Sequence, residues 1–318
     1  MSTNASFLAA LTPMLIYLVI IWRMDKYDRE PIRFVVLHFL WGAFGAILFG
    51  ILGSAILDNF TGITENGNLN NTLIQTIIFA PISEEIAKGI FLLWSVNSKK
   101  FDNITDGLVY GGAIGLGFGM TENFTYFITY GDTFSSWLYL VFVRSLFSAV
   151  MHMISTATFG AFLGMAKFNL KTIRSLLPVT GLLLAILFHF CWNLFVSFPS
   201  TFWFGFAFMM GLIIYFFLLF KYAIRKEKEI IENELLEESE LLNFPKDHIK
   251  IISSPLRFRK GWVDEKIRKQ YFRTAIRLAF KKMQSKNSIG YLKAINEYEV
   301  ELLRNTIRNF FSINTLGN

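Results

Sequence analysis

The sequence predicts an all-α polytopic membrane protein with about seven transmembrane helices and a helical cytoplasmic C-terminal tail. Hydrophobic residues make up 53% of the chain and the mean hydropathy is +0.43. Charged residues account for 17%, whereas soluble domains contain about 25%. Apolar runs are nearly continuous up to Phe220, and the chain is charged beyond Lys221. Residues 1–222 are therefore expected to form a membrane domain, and residues 223–318 a soluble tail.

Seven apolar segments are long enough to be transmembrane helices, which take about 20 residues each. They run approximately over Phe7–Trp22, Phe34–Leu57, Thr72–Ser95, Gly107–Tyr130, Trp137–Ala166, Leu177–Phe198 and Phe202–Phe220. The first segment lacks a basic n-region and a small-residue cleavage site, so we interpret it as a retained helix and not as a signal peptide. Glycines between Gly107 and Gly119 indicate close helix packing in the fourth.

Basic residues occur in every second connecting loop. They are Arg23, Lys26, Arg29 and Arg33; then Lys99 and Lys100; then Lys167, Lys171 and Arg174; and finally Lys221, Arg225, Lys226 and Lys228. The loops between these contain neither Lys nor Arg. Because cytoplasmic loops carry the excess of positive charge, the N-terminus is predicted outside the plasma membrane and the tail in the cytoplasm.

The tail is predicted to form a small helical cap. A charged helical run reaches about Leu242, and two amphipathic segments follow at about Val263–Met283 and Ser288–Phe311. Apolar residues recur there at helical spacing; they are Ile276, Phe280, Met283, Leu292, Ile295, Tyr298, Leu302 and Ile307. Such a cap would pack on itself or on the membrane surface, and a regulatory or partner-docking role stays open. His248 is expected at the surface.

The net charge of +7 is explained by basic loops next to anionic lipid headgroups. No nucleic-acid-binding module accompanies this charge, so no nucleic acid is expected as a partner. The single cysteine, Cys191, excludes an intrachain disulfide and a multi-cysteine metal cluster.

Ionisable residues lie near the middle of the third to sixth segments. They are Glu84, Glu85 and Lys88 on the third, Glu122 on the fourth, Arg144 and His152 on the fifth, and His189, with Asn193 one turn later, on the sixth. At a helical rise of about 1.5 Å per residue, the carboxylates and imidazoles reach similar depths. A charged group at this depth costs at least several kcal/mol and is usually functional. By contrast, His38 is predicted to be a structural histidine.

Helical spacing suggests how this set is divided. Glu84 and Lys88 are separated by four residues, so they share a helix face and are predicted to pair. Glu85 is turned by about 100° and is expected to face another neighbour. His189 and Asn193 also share a face. The pattern therefore predicts one carboxylate bound to Lys88 and one available for chemistry.

Such a set could hydrolyse a peptide bond in either of two ways. In one, His152, His189 and a carboxylate such as Glu122 bind zinc, and a second glutamate acts as base. In the other, no metal is used: a glutamate activates water while His189 and Asn193 donate to the oxyanion. The sequence contains no HExxH motif, and its spacing does not separate the two routes.

Two other classes of function also fit intramembrane glutamates and histidines. Ion- or proton-coupled transporters place such residues at mid-membrane depth, and a non-catalytic scaffold would use them for structure alone. Broken helices in inverted repeats would favour transport, and the sequence has no internal repeat of that kind. Cleavage, coupled uptake and partner binding are the assays that separate these three possibilities.

The order of the motifs resembles that of a known protease family. The motifs are Glu84-Glu85-x-x-Lys88, Phe118-x-x-x-Glu122, His152 and His189-x-x-x-Asn193, preceded by Asp28-Arg29-Glu30-Pro31. They resemble the PrsW family of intramembrane proteases over roughly Ile21 to Phe220. The resemblance implies a multi-pass plasma-membrane peptidase, metal- or glutamate-dependent, acting on a single-span membrane protein. The bacterial archetype of that family cleaves a membrane-bound anti-sigma factor.

The resemblance also implies roles for the site residues. Glu84 and Glu85 would supply the base and an orienting carboxylate, Glu122 and His152 would position water or a metal, and His189 with Asn193 would stabilise the oxyanion. Lys88 and Arg144 would support them. The wider superfamily includes the CAAX prenyl endopeptidases, which carry EExxxR, FxxxH and HxxxN. Lys88 at a shorter spacing and Glu122 in place of the first histidine argue against a prenyl-protein substrate.

Overall fold

The computed structural model describes residues 1–64, 67–98, 100–167, 174–242 and 244–312. Within these ranges the chain is helical and has no strand, which confirms the all-α prediction. The chain divides into two compact units. Of the described residues, the first unit contains Met1–Asp25, Arg29–Lys167 and 174–220. The second contains Lys26–Asp28 and the described part of the chain from Lys221 onward. Lys99 and Lys171, which mark two predicted basic loops, lie outside the described residues.

Long helices build the first unit. They are α1 (Thr3–Met24), α2 (Ile32–Leu40), α3 (Ile47–Thr61), α4 (Leu69–Ile74), α5 (Ala80–Ser95), α6 (Ile104–Tyr130), α7 (Phe134–Val143), α8 (Ala149–Lys167), α9 (Leu176–Val196) and the first part of α10 (Phe202–Leu242). π-Helical turns at Trp41–Ala46, Gln75–Phe79 and Arg144–Ser148 join α2 to α3, α4 to α5 and α7 to α8. A 3₁₀ turn at Pro199–Thr201 precedes α10.

The described residues contain 5 helical segments that are long and apolar enough to cross a membrane. They are Thr3–Met24, Ile32–Thr61, Phe134–Lys167, Leu176–Val196 and Pro199–Leu241. The chain is therefore a multi-pass membrane protein. Helices also cover the third and fourth predicted spans, but the charged residues of α5 and the glycines of α6 lower their hydropathy. The count of seven spans remains a prediction.

Helix α6 packs backbone to backbone against α8. A Cβ atom added to Gly107 would lie 2.0 Å from the carbonyl oxygen of Gly160, and one added to Gly115 would lie 2.2 Å from that of His152. Only glycine permits such an approach, as small residues do in other membrane helix pairs. This confirms the packing predicted from the glycine series. It also brings the α6 residue Glu122 next to His152 on α8.

The second unit contains the end of α10 together with α11 (Lys246–Ile252), a 3₁₀ turn at Pro255–Phe258, α12 (Glu265–Lys286) and α13 (Gly290–Ser312). Its buried core includes Ile231, Leu235, Ile276, Phe280 and Ile307. Helices α12 and α13 cover the two segments that were predicted to be amphipathic. The tail is thus helical and packs on itself, while its cytoplasmic location remains a prediction.

Two details of the tail differ from the sequence-based expectation. On α13, Leu292, Tyr298 and Leu302 are 64%, 73% and 56% exposed. Tyr298 and Leu302 lie opposite the face that packs into the core with Val300 and Ile307, and Leu292 lies in the first turn of the helix. His248 was expected at the surface but is half-buried, where its Nδ1 lies 3.1 Å from the hydroxyl of Tyr271.

Candidate active site

Four helical segments of the first unit bring the predicted ionisable residues together. Helix α5 carries Glu84, Glu85 and Lys88, α6 carries Glu122, the turn before α8 carries Arg144, α8 carries His152, and α9 carries His189 and Asn193. The contacts below join all of these residues except Asn193 into one network. His38 lies apart from it, buried, with its ring stacked on that of Tyr110 at 4.1 Å.

Glu85 is the most tightly bound carboxylate of the network. Its side chain is only 1% exposed, and it accepts hydrogen bonds from Lys88 at 2.8 Å, His189 at 3.1 Å and Thr156 at 3.2 Å. A buried carboxylate needs such partners because its desolvation is otherwise uncompensated. Glu85 is therefore positioned to orient other groups, with little capacity left to bind water.

Lys88 bonds mainly to Glu85, and its contact with Glu84 is longer. The Nζ atom is 2.8 Å from Oε1 of Glu85 and 3.5 Å from Oε2 of Glu84. Positions three and four residues apart are both neighbours on a helix, so spacing alone could not decide between the two. The same Nζ lies 3.8 Å from the centre of the Phe118 ring. The carboxylate left more available is therefore Glu84, which is 17% exposed.

His152 lies between Lys88 and Glu122. Its Nδ1 is 3.0 Å from Nζ of Lys88, and its Nε2 is 2.7 Å from Oε2 of Glu122. Because an ammonium group only donates, Nδ1 accepts and the ring proton is on Nε2, which donates to Glu122. His152 is thus held as a neutral imidazole with a defined tautomer.

Arg144 fixes the carboxylate of Glu122. Its Nη2 lies 2.8 Å from Oε2 of Glu122, and its Nε donates to Oδ1 of Asn123 over 3.1 Å. The guanidinium also stacks over the ring of Tyr126, 3.5 Å from its centre. Arg144 and His152 both bind Oε2, so Oε1 of Glu122 is the oxygen that these two contacts leave available. Arg144 is therefore part of the network and does not extend to the membrane surface.

The donor set that fits a metal differs from the expected one. One ligand atom from each of Glu84, His152 and His189 lies within 4.8 Å of the others. The expected set had Glu122 as its carboxylate, but Arg144 and His152 bind that group. Two imidazoles and one carboxylate are a common protein ligand set for catalytic zinc. His189 also donates through Nδ1 to Glu85, which leaves Nε2 as the ligand atom, as is typical of metal-binding histidines.

Charge also favours a cation at this site. The three carboxylates of Glu84, Glu85 and Glu122 outnumber the two cations of Lys88 and Arg144 by one negative charge. Unbalanced charge inside a membrane domain is costly. The excess charge is negative, so it attracts a cation to Glu84, His152 and His189. The residues present therefore fit a bound metal ion.

Asn193 has a different partner from the one that was expected. Its Nδ2 donates to the backbone carbonyl of Thr76 over 2.8 Å. In the π-helical turn at Gln75–Phe79, the N–H of Ala80 bonds to the carbonyl of Gln75. The next N–H in that register would come from position 81, which is a proline and has none. Asn193 supplies the missing donor and so joins α9 to this turn.

Sequence reasoning missed three members of the site. Thr156 binds Glu85, Asn123 binds Arg144, and the carbonyl of Thr76 binds Asn193. Thr156 lies four residues after His152, so a search for polar residues on the same helix face would have found it. Asn123, next to Glu122, and the backbone carbonyl gave no comparable signal.

Comparison with known proteins gives one consistent relationship. A family model described as "PrsW family intramembrane metalloprotease" matches residues 30–221, more than half of the chain. Protease PrsW of Oceanobacillus iheyensis is 27% identical over 230 residues, which are 72% of this chain and 97% of that protein. Protease PrsW of Bacillus subtilis is 27% identical over 183 residues, or 57% of this chain and 78% of that protein. No solved structure matches.

Proposed function

Since this chain belongs to the PrsW family of intramembrane metalloproteases and is an intramembrane peptidase, we propose that the cluster of Glu84, His152 and His189 is its catalytic centre. The main support for this proposal is that one ligand atom from each of these residues lies within 4.8 Å of the other two. The substrate is a membrane protein, and we propose that it is a single-span protein cleaved within its membrane segment. More specifically, we propose regulated cleavage of a membrane protein similar to an anti-sigma factor.

Glu84, His152 and His189 would hold the metal ion, which we propose is zinc. When bound in such a site, zinc lowers the pKa of a coordinated water and polarises a carbonyl. Glu85 orients His189 through its bond to Nδ1, and Lys88 holds Glu85. To bind metal through Nδ1, His152 must exchange its contact with Lys88, whereas His189 offers Nε2 without such a change.

Glu122 is the proposed general base. Arg144 and His152 hold its Oε2, so Oε1 would be the atom that accepts a proton from the attacking water. Glu84 would be occupied as a ligand, and Glu85 is already bonded to Lys88, His189 and Thr156. Asn193 is assigned a positioning role in place of the oxyanion role implied by the family resemblance, because its amide is engaged by Thr76.

We further propose seven membrane-spanning segments with the N-terminus outside and the tail in the cytoplasm. The alternation of basic loops with loops that contain no Lys or Arg supports this orientation. The helical segments α4–α5 and α6, which would be the third and fourth spans, carry the charged network and the glycines. We also propose a plasma-membrane location, which the relationship to the PrsW family supports.

Metal analysis combined with cleavage tests the proposal. Purified protein and a panel of single-span reporter proteins would be reconstituted in proteoliposomes. His189→Ala is expected to lose both metal and cleavage, whereas Glu122→Gln should keep metal at one equivalent and lose cleavage at least a hundredfold. The exposed tail residue Glu301 provides the matched control Glu301→Gln. Full cleavage by metal-free protein would instead support the glutamate-only route.

A further inference from the structure

A cavity of about 230 Å³ lies between α6, α7, α9, α10 and the Arg144–Ser148 turn. Its walls are mostly aromatic and aliphatic, and they include Phe147, Trp192 and Phe206, with Arg144 as the charged member. We call it the aromatic cavity. Phe147 packs against both Trp192 and Phe206, with ring centres 6.3 Å and 5.7 Å away. The network described above does not use these aromatic residues.

The aromatic cavity lies one helical turn from the proposed catalytic layer on three helices. Tyr126 follows Glu122 by four residues, Ser148 precedes His152 by four, and Trp192 follows His189 by three; all three line the cavity. One turn corresponds to about 5.4 Å along a helix. Arg144 lines the cavity while its Nη2 binds Glu122. The cavity is therefore next to the site, at the distance of a neighbouring residue of a bound polypeptide.

Side chains at the rim of the cavity face outward. Tyr139, Val196 and Phe206 are 60%, 41% and 42% exposed, and in a membrane domain such surfaces face lipid. A substrate arriving within the bilayer could thus reach the cavity without passing through water. A cavity of about 150 Å³ can hold a benzene molecule. A cavity of about 230 Å³ accommodates one large side chain and excludes a second.

Resting on the proposed function, we propose that the aromatic cavity receives one large apolar side chain of the substrate, on a residue next to the cleaved bond. The cavity would thereby select the cleavage position within the membrane segment. Lipid chains are as apolar as a protein interior, so transfer from lipid provides little selectivity. Discrimination must come from fit and from ring contacts with Phe147 and Trp192, which favours Phe over Ala.

Single-span reporters that differ at one residue test this inference. Ala, Leu, Phe or Trp would be placed in turn along an otherwise identical membrane segment, and cleavage sites in proteoliposomes would be located by mass spectrometry. Wild-type protein is expected to cut next to Phe about tenfold faster than next to Ala. Leu140→Trp, which fills the cavity, should abolish this preference. Trp192→Ala, which enlarges it, should move the preference to Trp.

Phe142→Ala is the matched control, because Phe142 is 61% exposed on α7 and does not line the cavity. It should leave the preference unchanged. Metal content and thermal stability would verify that Leu140→Trp and Trp192→Ala are folded. If the wild type and both cavity variants show the same preference, the role of the aromatic cavity is wrong, whereas the proposed function is unaffected. Absence of cleavage of every reporter by the wild-type protein would count against the proposed function and, with it, this inference.

Discussion

The ammonium group of Lys88 lies 3.0 Å from Nδ1 of His152. Because the ammonium only donates, the contact fixes the imidazole as a neutral ring whose Nε2–H points to Glu122. One lysine on α5 thus determines the tautomer of a histidine on α8 and, through it, a hydrogen bond to α6. Lys88 is a positioning residue as well as the counter-ion of Glu85.

Replacing Lys88 by methionine is expected to destabilise the membrane domain. The variant Lys88→Met leaves Glu85 buried without its cation, and breaking a buried pair in this way costs about 3–5 kcal/mol. Thermal unfolding in detergent micelles measures the effect. The exposed pair of Lys293 and Glu297, 3.9 Å apart, provides the control Lys293→Met, which should be neutral. Adding Glu85→Gln to Lys88→Met should restore part of the stability, and failure to do so would contradict the assigned pairing.

Loss of the Glu85 charge is expected to weaken metal binding while the fold persists. In Glu85→Gln the amide can still bond to Thr156, but it orients and polarises His189 less well than a carboxylate does. Removal of such an outer partner typically lowers metal affinity roughly 10–100-fold. Competition with a chelator measures the affinity. An unchanged affinity would show that Glu85 does not act through His189.

The sequence was sufficient to predict which ionisable residues meet, but not how they pair. The cost of burying Glu84, Glu85, Glu122, His152 and His189 made a shared polar network predictable from depth alone. Whether Lys88 binds Glu84 or Glu85 is not decided by α5 alone, because all three residues lie on that helix; it also depends on the partners that α8 and α9 supply. The π-helical turns preceding α5 and α8 affect which neighbours these side chains face, and hydrophobic periodicity gives no sign of them.

In the tail, too, the sequence predicts a helix but not which of its faces is buried. Helix α13 has apolar residues on two faces, so a helical period is present whichever face is buried. Leu292, Tyr298 and Leu302 follow that period and remain exposed, whereas Val300 and Ile307 pack into the core. Only the packing of α12 and the end of α10 decides between the faces. A helix was therefore predictable, and its orientation was not.

Any side chain at position 115 is expected to disrupt the contact between α6 and α8. A Cβ there would lie 2.2 Å from the carbonyl oxygen of His152, so Gly115→Val must separate the helices and displace His152. We expect loss of metal and at least a hundredfold loss of cleavage. Gly211 on α10 has no atom within 4 Å of an added Cβ, so Gly211→Val is the matched control. Full metal content in Gly115→Val would contradict the close packing.

The stability of the second unit is expected to fall in acid because of Glu238. Burial raises the pKa of this carboxyl, but hydrogen bonds from Arg304 and Lys282 outweigh it, and the net pKa is lowered. In the unfolded chain this carboxyl has a pKa of about 4.3. Because its pKa in the folded unit is lower, ionised Glu238 stabilises the fold. This stabilisation is complete above the unfolded pKa and is lost as the pH falls through the folded pKa. Limited proteolysis of the tail in the full chain, between pH 7 and pH 3, measures this.

In Glu238→Gln the acid-dependent part of this stability should disappear, while resistance at pH 7 should already be reduced. The exposed residue Glu240 provides the control Glu240→Gln, with an unaltered profile. Identical pH profiles for wild type and Glu238→Gln would show that other carboxyls control acid unfolding of the tail.

Asn193 and Pro81 are expected to be energetically coupled. Thr76 is exposed in the proposed third span, where lipid supplies no replacement donor. In Asn193→Ala its carbonyl is therefore left unsatisfied, at a cost of about 1–3 kcal/mol. Pro81→Ala supplies a backbone N–H in the π register that can reach this carbonyl. The double variant should therefore unfold at a higher temperature than Asn193→Ala alone, and its cleavage activity should recover with it.

An oxyanion donor behaves differently, since its removal costs about 10²–10³ in rate and no backbone N–H at position 81 would replace it. Recovered stability without recovered cleavage would assign Asn193 to the reaction itself.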